Sequence, residues 1–131
     1  MTARPTLEAI YPFFIVRDTP RAIKFYEERL GFVTRFAEPQ DNPFFAIVGR
    51  DGVQIFLKSV SGSVAAEPNH TRNKEALWDA FVYVEDPDAL ASEFAARGVV
   101  FHQAITDRSD NLRGFEVADS DGYILFFGRP L

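Results

Sequence analysis

The amino-acid sequence runs twice through the same order of elements, and this repeat constrains the fold more than any other feature. In each copy an apolar segment ends in an acidic residue, a Pro begins a stretch with apolar residues at helical spacing, and a Gly ends it. The matched positions are Asp18 and Asp86, Pro20 and Pro87, and Gly31 and Gly98. An Asp-Gly turn, at Gly52 and at Gly122, leads each copy into a last apolar segment. Offsets of 68, 67 and 70 residues between the acidic, helix-ending and turn positions indicate a duplicated unit.

Each copy has room for one helix and four strands. The copies begin with strands over residues 10–16 and 78–84, and Thr19 is the expected N-cap of the first helix. The further strands are expected at residues 33–37, 44–48, 99–104 and 115–117. The sequence therefore predicts an α+β fold of two βαβββ modules in one domain, residues 1–131. Module one covers about 8–58, a polar linker 59–77 and module two 78–131. The alternative is a single α+β sheet with coincidental symmetry.

Alternation along the four clearest strands separates two faces of the sheet. One face is almost wholly apolar and is expected to pack against the helices; it holds Pro12, Phe14, Val16, Val53, Ile55, Leu57, Ala80, Val82, Val84, Tyr123, Leu125 and Phe127. The other face mixes aromatic rings with a few polar groups; it holds Tyr11, Phe13, Ile15, Gln54, Phe56, Lys58, Asp79, Phe81, Tyr83, Ile124, Phe126 and Gly128. Small-molecule pockets are built in this way. A second core, or a dimer interface with a charged rim, is the alternative interpretation of that face.

Composition excludes several classes of function. The chain has no cysteine, which removes disulfides, thiolate nucleophiles and Cys-ligated zinc, and which fits a cytoplasmic protein. Its net charge of −5 argues against nucleic-acid binding, which requires clustered Lys and Arg. We expect no signal peptide, because residues 1–6 contain no apolar segment, and no membrane association, because no apolar run approaches the length of a membrane span. The two histidines, His70 and His102, are expected at the surface without a partner at ligand spacing.

Two segments resemble a known family. Residues 15–32 read Ile-Val-Arg-Asp-x-x-x-Ala-Ile-x-Phe-Tyr-x-x-x-Leu-Gly-Phe, which is similar to the opening of glyoxalase/bleomycin-resistance proteins of the vicinal oxygen chelate superfamily. Residues 119–126 look like that family's closing motif, Asp-Pro-Asp-Gly, with Ser120 in place of Pro. The resemblance spans essentially the whole chain and implies two pseudo-symmetric modules that form a curved mixed sheet with a cleft. It leaves the function open, because the superfamily includes lyases, dioxygenases, epimerases, thiol transferases and binding proteins.

The resemblance also implies where a metal would be held. The family's enzymes bind a divalent metal on the open face, at positions that correspond to Tyr11, Phe56, Asp79 and Phe126. Only Asp79 is a usual metal ligand, whereas a catalytic metal needs about three protein ligands. We therefore expect no metal, no cofactor and no catalytic residue. A metal-dependent lyase or ring-cleaving dioxygenase with differently placed ligands is the alternative.

Among the family's branches, the metal-free bleomycin-resistance proteins resemble this chain best, in the aromatic alternation of residues 77–84 and in Arg113-Gly114-Phe115. This implies a protein that sequesters an aromatic or cationic drug-like small molecule, and a homodimer in which modules from two chains complete each cleft. The expected ligand-binding residues are Tyr11, Phe13, Gln54, Phe56, Lys58, Asp79, Phe81, Tyr83 and Phe126. The aromatic rings would stack on the ligand, Asp79 would attract its cation, and Gln54 and Lys58 would orient its polar groups. A non-catalytic dimerisation module without a pocket is a further alternative.

Overall fold

The structure, a computed structural model, describes residues 3–61 and 64–131. Its elements are β1 (Phe13–Ile15), α1 (Thr19–Leu30), β2 (Val33–Glu38), β3 (Phe45–Arg50), β4 (Val53–Lys58), α2 (Asn69–Arg72), β5 (Ala80–Tyr83), α3 (Pro87–Ala96), β6 (Gln103–Asp107), β7 (Leu112–Ala118) and β8 (Ile124–Pro130). They form two four-stranded sheets with the strand orders β1-β4-β3-β2 and β5-β8-β7-β6. In each sheet the first strand runs parallel to the last, and the other pairs are antiparallel. The α+β fold of two βαβββ modules is confirmed. The linker predicted over residues 59–77 contains α2, and its Gly62 and Ser63 lie outside the described residues.

Short-range signals set the ends of the two long helices. Asp18 is the N-cap of α1, where its carboxylate accepts a hydrogen bond from a backbone N–H in the first turn at 3.2 Å. Thr19, the expected cap, is instead buried inside the first turn, because its hydroxyl lies 2.6 Å from that of Ser59. The helix ends at Gly31, whose φ of +68° is a conformation that glycine adopts readily. Asp86 caps α3 in the same way as Asp18 caps α1.

Two strands begin later than the sequence predicts. β1 starts at Phe13 rather than at residue 10, because Pro12 has no N–H with which to extend the ladder. β6 starts at Gln103 rather than at residue 99, because the Val99 backbone N–H is already bonded to the carbonyl of Phe94 at the end of α3. The remaining predicted strands are present with ends shifted by a few residues.

The apolar face of the two sheets forms a shared core with the helices, as the alternation predicts. Phe14, Val16, Ile55, Leu57, Leu125 and Phe127 are each 6% exposed or less. Tyr26 of α1 and Phe94 of α3 close this core from the helix side. Burying one such side chain contributes about 1.5–3 kcal/mol, so the core fixes which face of each sheet stays open. None of the described helices is long and apolar enough to cross a bilayer.

Candidate functional site

Five aromatic rings touch one another on the open face of module one, which is the sheet face opposite the core. This aromatic cluster consists of Tyr11, Phe13, Phe36, Phe45 and Phe56. The Phe56 ring is central, with its centroid 5.7 Å from Tyr11, 6.0 Å from Phe13 and 5.7 Å from Phe45. Phe36 lies 6.0 Å from Phe45 at the far side. Tyr11, Phe13 and Phe36 are 41%, 54% and 48% exposed, so the cluster presents a continuous apolar surface to solvent.

The sequence prediction places three of these rings correctly on one face and omits Phe36 and Phe45. Cross-strand pairing brings Phe36 opposite Ile47 and Ile47 opposite Phe56, so all three share the open face. A bulge between Thr34 and Phe36 interrupts the alternation of β2, which hides the face of that strand in the sequence. The adjacent rings Phe44 and Phe45 could have indicated a further ring on the open face, because neighbouring residues of a strand point to opposite faces.

The polar residues predicted on this face lie at opposite ends of β4. Gln54 accepts a hydrogen bond from Arg35 Nη1 at 2.9 Å, and Arg35 also donates to the Asp51 carbonyl at 3.0 Å. Lys58 is at the other end of the strand, paired across the sheet with Phe45. A ligand at this edge of the cluster would therefore meet the Arg35 guanidinium together with the Gln54 amide.

The open face of module two is partly covered. Phe126 is fully buried, because the Trp78 ring stacks on it at 4.3 Å. On its other side, Phe126 lies over a glycine pair, Gly114 and Gly128, where added Cβ atoms would come within 2.5 and 2.6 Å of its ring. The Phe126 ring thus supports the face from below, and a ligand would meet Trp78 instead. The rings that module two leaves open are Phe81, 44% exposed, and Tyr83, 64% exposed.

A buried carboxylate holds this covering layer in place. Glu116 is 6% exposed and pairs across the sheet with Phe126. It accepts hydrogen bonds from Trp78 Nε1 at 2.9 Å and from His102 Nδ1 at 2.7 Å, and Arg108 lies 3.5 Å away. The Arg108 guanidinium also sits 5.1 Å from the Trp78 ring centroid, a cation–π distance. The sequence prediction omits this network, although a Glu inside an apolar strand is an unusual residue that a partner must satisfy.

The two histidines are not isolated. The His70 and His102 rings have centroids 6.2 Å apart and planes inclined at 43°. The expectation that neither has a partner rested on spacing along the sequence, and the structure brings the two rings together from positions 32 residues apart. The sequence hides the contact, because α2 brings His70 across from the linker to a strand of module two.

Asp79 is engaged by the backbone. Its Oδ1 accepts from the Asn69 N–H and its Oδ2 from the Ile124 N–H, both at 2.8 Å, so the carboxylate joins α2 to β8. The other family metal positions hold Tyr11 and two Phe rings, and a Phe has no lone pair to offer. These four positions do not fit a divalent metal. Within residues 3–61 and 64–131, no three His, Asp or Glu side chains converge on a metal-sized space.

The two modules meet at two pseudo-equivalent junctions, and the first of them is filled. Tyr123 stacks on Phe14 at 4.2 Å and donates to the Ile15 carbonyl at 2.6 Å. The Tyr26 hydroxyl donates to Asp119 at 2.6 Å. Burial raises the pKa of Asp119 to about 6 and the pKa of Tyr123 to about 12.

The second junction is open. The repeat places Val53 where the first junction has Tyr123, and Val82 where it has Phe14. Because two valines fill far less space than two stacked rings, a cavity of about 1000 Å³ remains between the modules. Phe94, the counterpart of Tyr26, lines its floor. Its volume is at the upper end of the range for small-molecule sites.

The cavity has an acidic lining. Its one cationic side chain is Arg50. Its five carboxylate residues are Asp51, Asp79, Glu85, Asp86 and Glu93. Arg50 is paired, since it makes two hydrogen bonds of 2.8 Å to Glu93 and holds the pKa of that carboxyl at about 2.

Five of the nine predicted site residues line the cavity, namely Tyr11, Gln54, Asp79, Phe81 and Tyr83. Phe13, Phe56 and Lys58 lie on the open face of module one, and Phe126 lies beneath Trp78. Tyr11 joins the two areas, because it stacks on Phe56 and also lines the cavity.

Comparisons with known proteins agree with this architecture. The family model described as Glyoxalase/Bleomycin resistance protein/Dioxygenase superfamily matches residues 9–127. The structure is similar to TioX from Micromonospora sp. ML1, with a TM-score of 0.72 and 20% identity over 95% of this chain and 99% of that one. It is also similar to a bleomycin-binding protein from bleomycin-producing Streptomyces verticillus, complexed with copper(II)-bleomycin. The TM-score is 0.69 and the sequence identity 21%, over 95% of this chain and 97% of that one. A glyoxalase-related enzyme from Clostridium phytofermentans has a TM-score of 0.70 and a sequence identity of 17%, over 97% of this chain and 98% of that one. At these identities the neighbours establish a shared fold alone. No curated protein matches the sequence.

Proposed function

Because the chain belongs to the glyoxalase/bleomycin resistance protein/dioxygenase superfamily, we propose that it is a binding protein whose cleft takes an aromatic, cationic small molecule without a metal. The ligand lies against Tyr11, between the aromatic cluster of module one and the cavity between the modules. If the ligand is a toxic drug, its sequestration protects the cell. The cysteine-free sequence supports a cytoplasmic location.

The observation that carries the proposal is the exposed aromatic cluster. Three of its rings are 41–54% exposed while the rings of the core are buried, so the cluster is apolar surface that folding leaves in water. A planar ligand that stacks on one such ring gains about 0.5–1.5 kcal/mol beyond the effect of burial. Stacking tolerates different ring systems, which suits a drug-sequestering protein.

The acidic lining of the cavity supports a cationic ligand. Asp51 has a side chain 91% exposed and lies 3.9 Å from Arg50, and Glu85 is also exposed in the lining. These two carboxylates place negative charge where the cavity meets solvent. Asp79 contributes its negative charge to the same space, although both of its oxygens already accept backbone hydrogen bonds.

We include a homodimer in the proposal. Leu7 and Ile10 precede β1 and are 99% and 94% exposed, and Ile10 also lines the cavity. Apolar side chains so fully exposed are typical of surface that a second subunit covers. Light scattering on the eluting protein should give twice 14.8 kDa, and a monomer that binds ligand with full affinity would contradict the dimeric part of the proposal.

Calorimetric titration of chelator-treated protein with metal-free and copper(II)-loaded bleomycin, and with a planar acridinium cation, tests the function. We expect saturable binding near one ligand per cleft, with micromolar affinity or better for at least one of these probes. Phe13→Ala should weaken that binding about fivefold, which corresponds to about 1 kcal/mol. The matched control is Phe44→Ala, which removes a ring that is 50% exposed, directly precedes β3 and is not part of the aromatic cluster.

Two outcomes would contradict the proposal. One is equal weakening by Phe13→Ala and Phe44→Ala, which would remove the aromatic cluster from the site. The other is a stoichiometric divalent metal that Asp79→Asn releases, together with lyase or dioxygenase activity. That result would support the metal-dependent enzyme instead.

A further inference from the structure

His70 and His102 form a pair on module two, and neither is one of the four positions that the family uses for metal. Their ring centroids are 6.2 Å apart. His70 is exposed, and the His102 side chain is 48% exposed, so ions in solution reach both rings. The chain has only 2 histidines and no cysteine, so these two rings are its entire set of imidazole and thiolate ligands.

The hydrogen bonds of the two rings fix which nitrogen of each carries the proton. His102 Nδ1 lies 2.7 Å from the buried Glu116 carboxylate, and His70 Nε2 lies 3.1 Å from the Gly122 carbonyl. Both partners are acceptors, so Nδ1 of His102 and Nε2 of His70 must be the donors. In the neutral rings the lone pairs therefore lie on His102 Nε2 and His70 Nδ1. No other hydrogen bond reaches these two nitrogens from the described part of the chain.

This arrangement matches the surroundings of metal-binding histidines. A ligating His usually donates its second N–H to a carboxylate or to a backbone carbonyl, which fixes its tautomer and raises its basicity. His102 has the carboxylate and His70 has the carbonyl. Glu116 is itself held by Trp78 and Arg108, so the His102 ring has a rigid support.

The separation of the rings also fits a shared ion. With metal–nitrogen bonds of about 2.0–2.1 Å and about 1.2 Å from nitrogen to ring centre, a tetrahedral ion places the two ring centroids about 5.3 Å apart, and about 6.5 Å is reached only when the nitrogens lie on opposite sides of the ion. The observed 6.2 Å lies between these values, so a shift of about 1 Å in the exposed His70 ring brings the pair to tetrahedral geometry.

We propose that His70 and His102 bind one divalent transition-metal ion, with the remaining coordination positions open to water or to an external ligand. Imidazole pairs suit Cu²⁺, Ni²⁺ and Zn²⁺. No third His, Asp or Glu completes the site among residues 3–61 and 64–131, so the ion is held less tightly than in a structural site and is exchangeable. This inference is independent of the proposed function, which concerns the aromatic cluster and the cavity.

The test uses tag-free, chelator-treated full-length protein titrated with CuCl₂ and, separately, ZnCl₂. Calorimetry should give one ion per chain, and Cu²⁺ should quench the fluorescence of the sole tryptophan, Trp78, which shares Glu116 with His102. His70→Gln and His102→Gln should each weaken binding at least tenfold. Both positions are exposed or half-exposed, so these variants keep the fold. Glu116→Gln should weaken binding about 10- to 100-fold through the position of His102.

Asp110→Asn is the matched control, because it removes a carboxylate bonded to the same Arg108 without touching either imidazole. It should leave the affinity unchanged. Two ions per chain, with one lost in each His variant and the other kept at full affinity, would show two separate imidazoles and overturn the proposal. Binding unchanged in both His variants, or absent from the wild type, would also overturn it.

Discussion

The buried carboxyl of Asp119 at the filled junction gives the stability of the protein a specific dependence on pH. Asp119 is 6% exposed; it accepts from the Tyr26 hydroxyl at 2.6 Å and from the backbone N–H groups of Asp121 and Tyr123 at 2.9 and 3.0 Å. These hydrogen bonds favour the carboxylate, whereas burial favours the neutral acid. Burial is the larger effect and raises the pKa from 3.8 to about 6.

The sign and size of the effect follow from this pKa. Below about pH 4 the folded and unfolded chains both hold the proton, so the carboxyl costs no stability. Between about pH 4 and 6 the folded protein keeps the proton that the unfolded chain has lost, so the free energy of unfolding falls as the pH rises. Above about pH 6 both states are ionised and the loss is complete. A rise from 3.8 to about 6 corresponds to about 3 kcal/mol.

The assay compares wild type with Asp119→Asn, a neutral side chain of the same shape that still accepts the backbone hydrogen bonds. Urea denaturation at intervals from pH 4 to 8 gives the difference in unfolding free energy at each pH. We expect the wild type to lose up to about 3 kcal/mol relative to the variant across this range. Tyr26→Phe removes a hydrogen-bond donor that favours the Asp119 carboxylate. The pKa of Asp119 should rise further, so the loss of unfolding free energy should extend to higher pH.

A difference between wild type and Asp119→Asn that is independent of pH would refute this reasoning. The contradiction would be stronger if the wild type gained stability relative to Asp119→Asn as the pH rises. It would mean that the three hydrogen bonds outweigh burial and lower the pKa of Asp119.

Three further predictions concern packing, the cavity and an ion pair. Gly114→Ala should destabilise the protein by about 3 kcal/mol in thermal or urea unfolding, because the added Cβ would lie 2.3 Å from a backbone oxygen. Gly52→Ala is the control. Its added Cβ has no atom within 4 Å, so it should change stability by less than about 0.5 kcal/mol. Val53→Tyr should fill the cavity and weaken ligand binding at least tenfold by calorimetry, while the melting temperature stays the same or rises. Glu93→Gln should cost no more than about 1 kcal/mol at neutral pH, because its pair with Arg50 is partly exposed. Since the pKa of Glu93 is lowered from 4.5 to about 2, that difference is present above about pH 4.5 and should vanish as the pH falls toward 2 in acid denaturation curves.

The fold could be predicted from the sequence because its signals are local and occur twice. Asp18 and Asp86 cap helices through their own first turns, and Gly31 ends a helix through its own backbone conformation. Alternation along β4 and β8 then assigns the core face without knowledge of any distant residue. The errors fall where a neighbouring element intervenes, as at Val99, which is held by the end of α3.

Most of the candidate site depends on contacts between residues that are far apart in the sequence, which local patterns do not predict. Phe126 has the right face but is covered by Trp78, which reaches it from outside the strand. The cavity depends on a difference in volume between Val53 and Tyr123, which is visible only when the two junctions are superimposed. The contact between His70 and His102 depends on the path of the linker.

The proposed function requires the aromatic cluster to bind its ligand without a metal. The most direct measurement is a carbon-detected NMR map of ¹³C-Phe-labelled protein, in chelator, titrated with the tightest-binding probe. We expect shifts in the ring signals of Phe13, Phe36 and Phe45 at the open face, and little change in the buried Phe14 and Phe115, which do not line the cavity. Shifts that require an added divalent metal, or that leave the open-face rings unchanged, would contradict it.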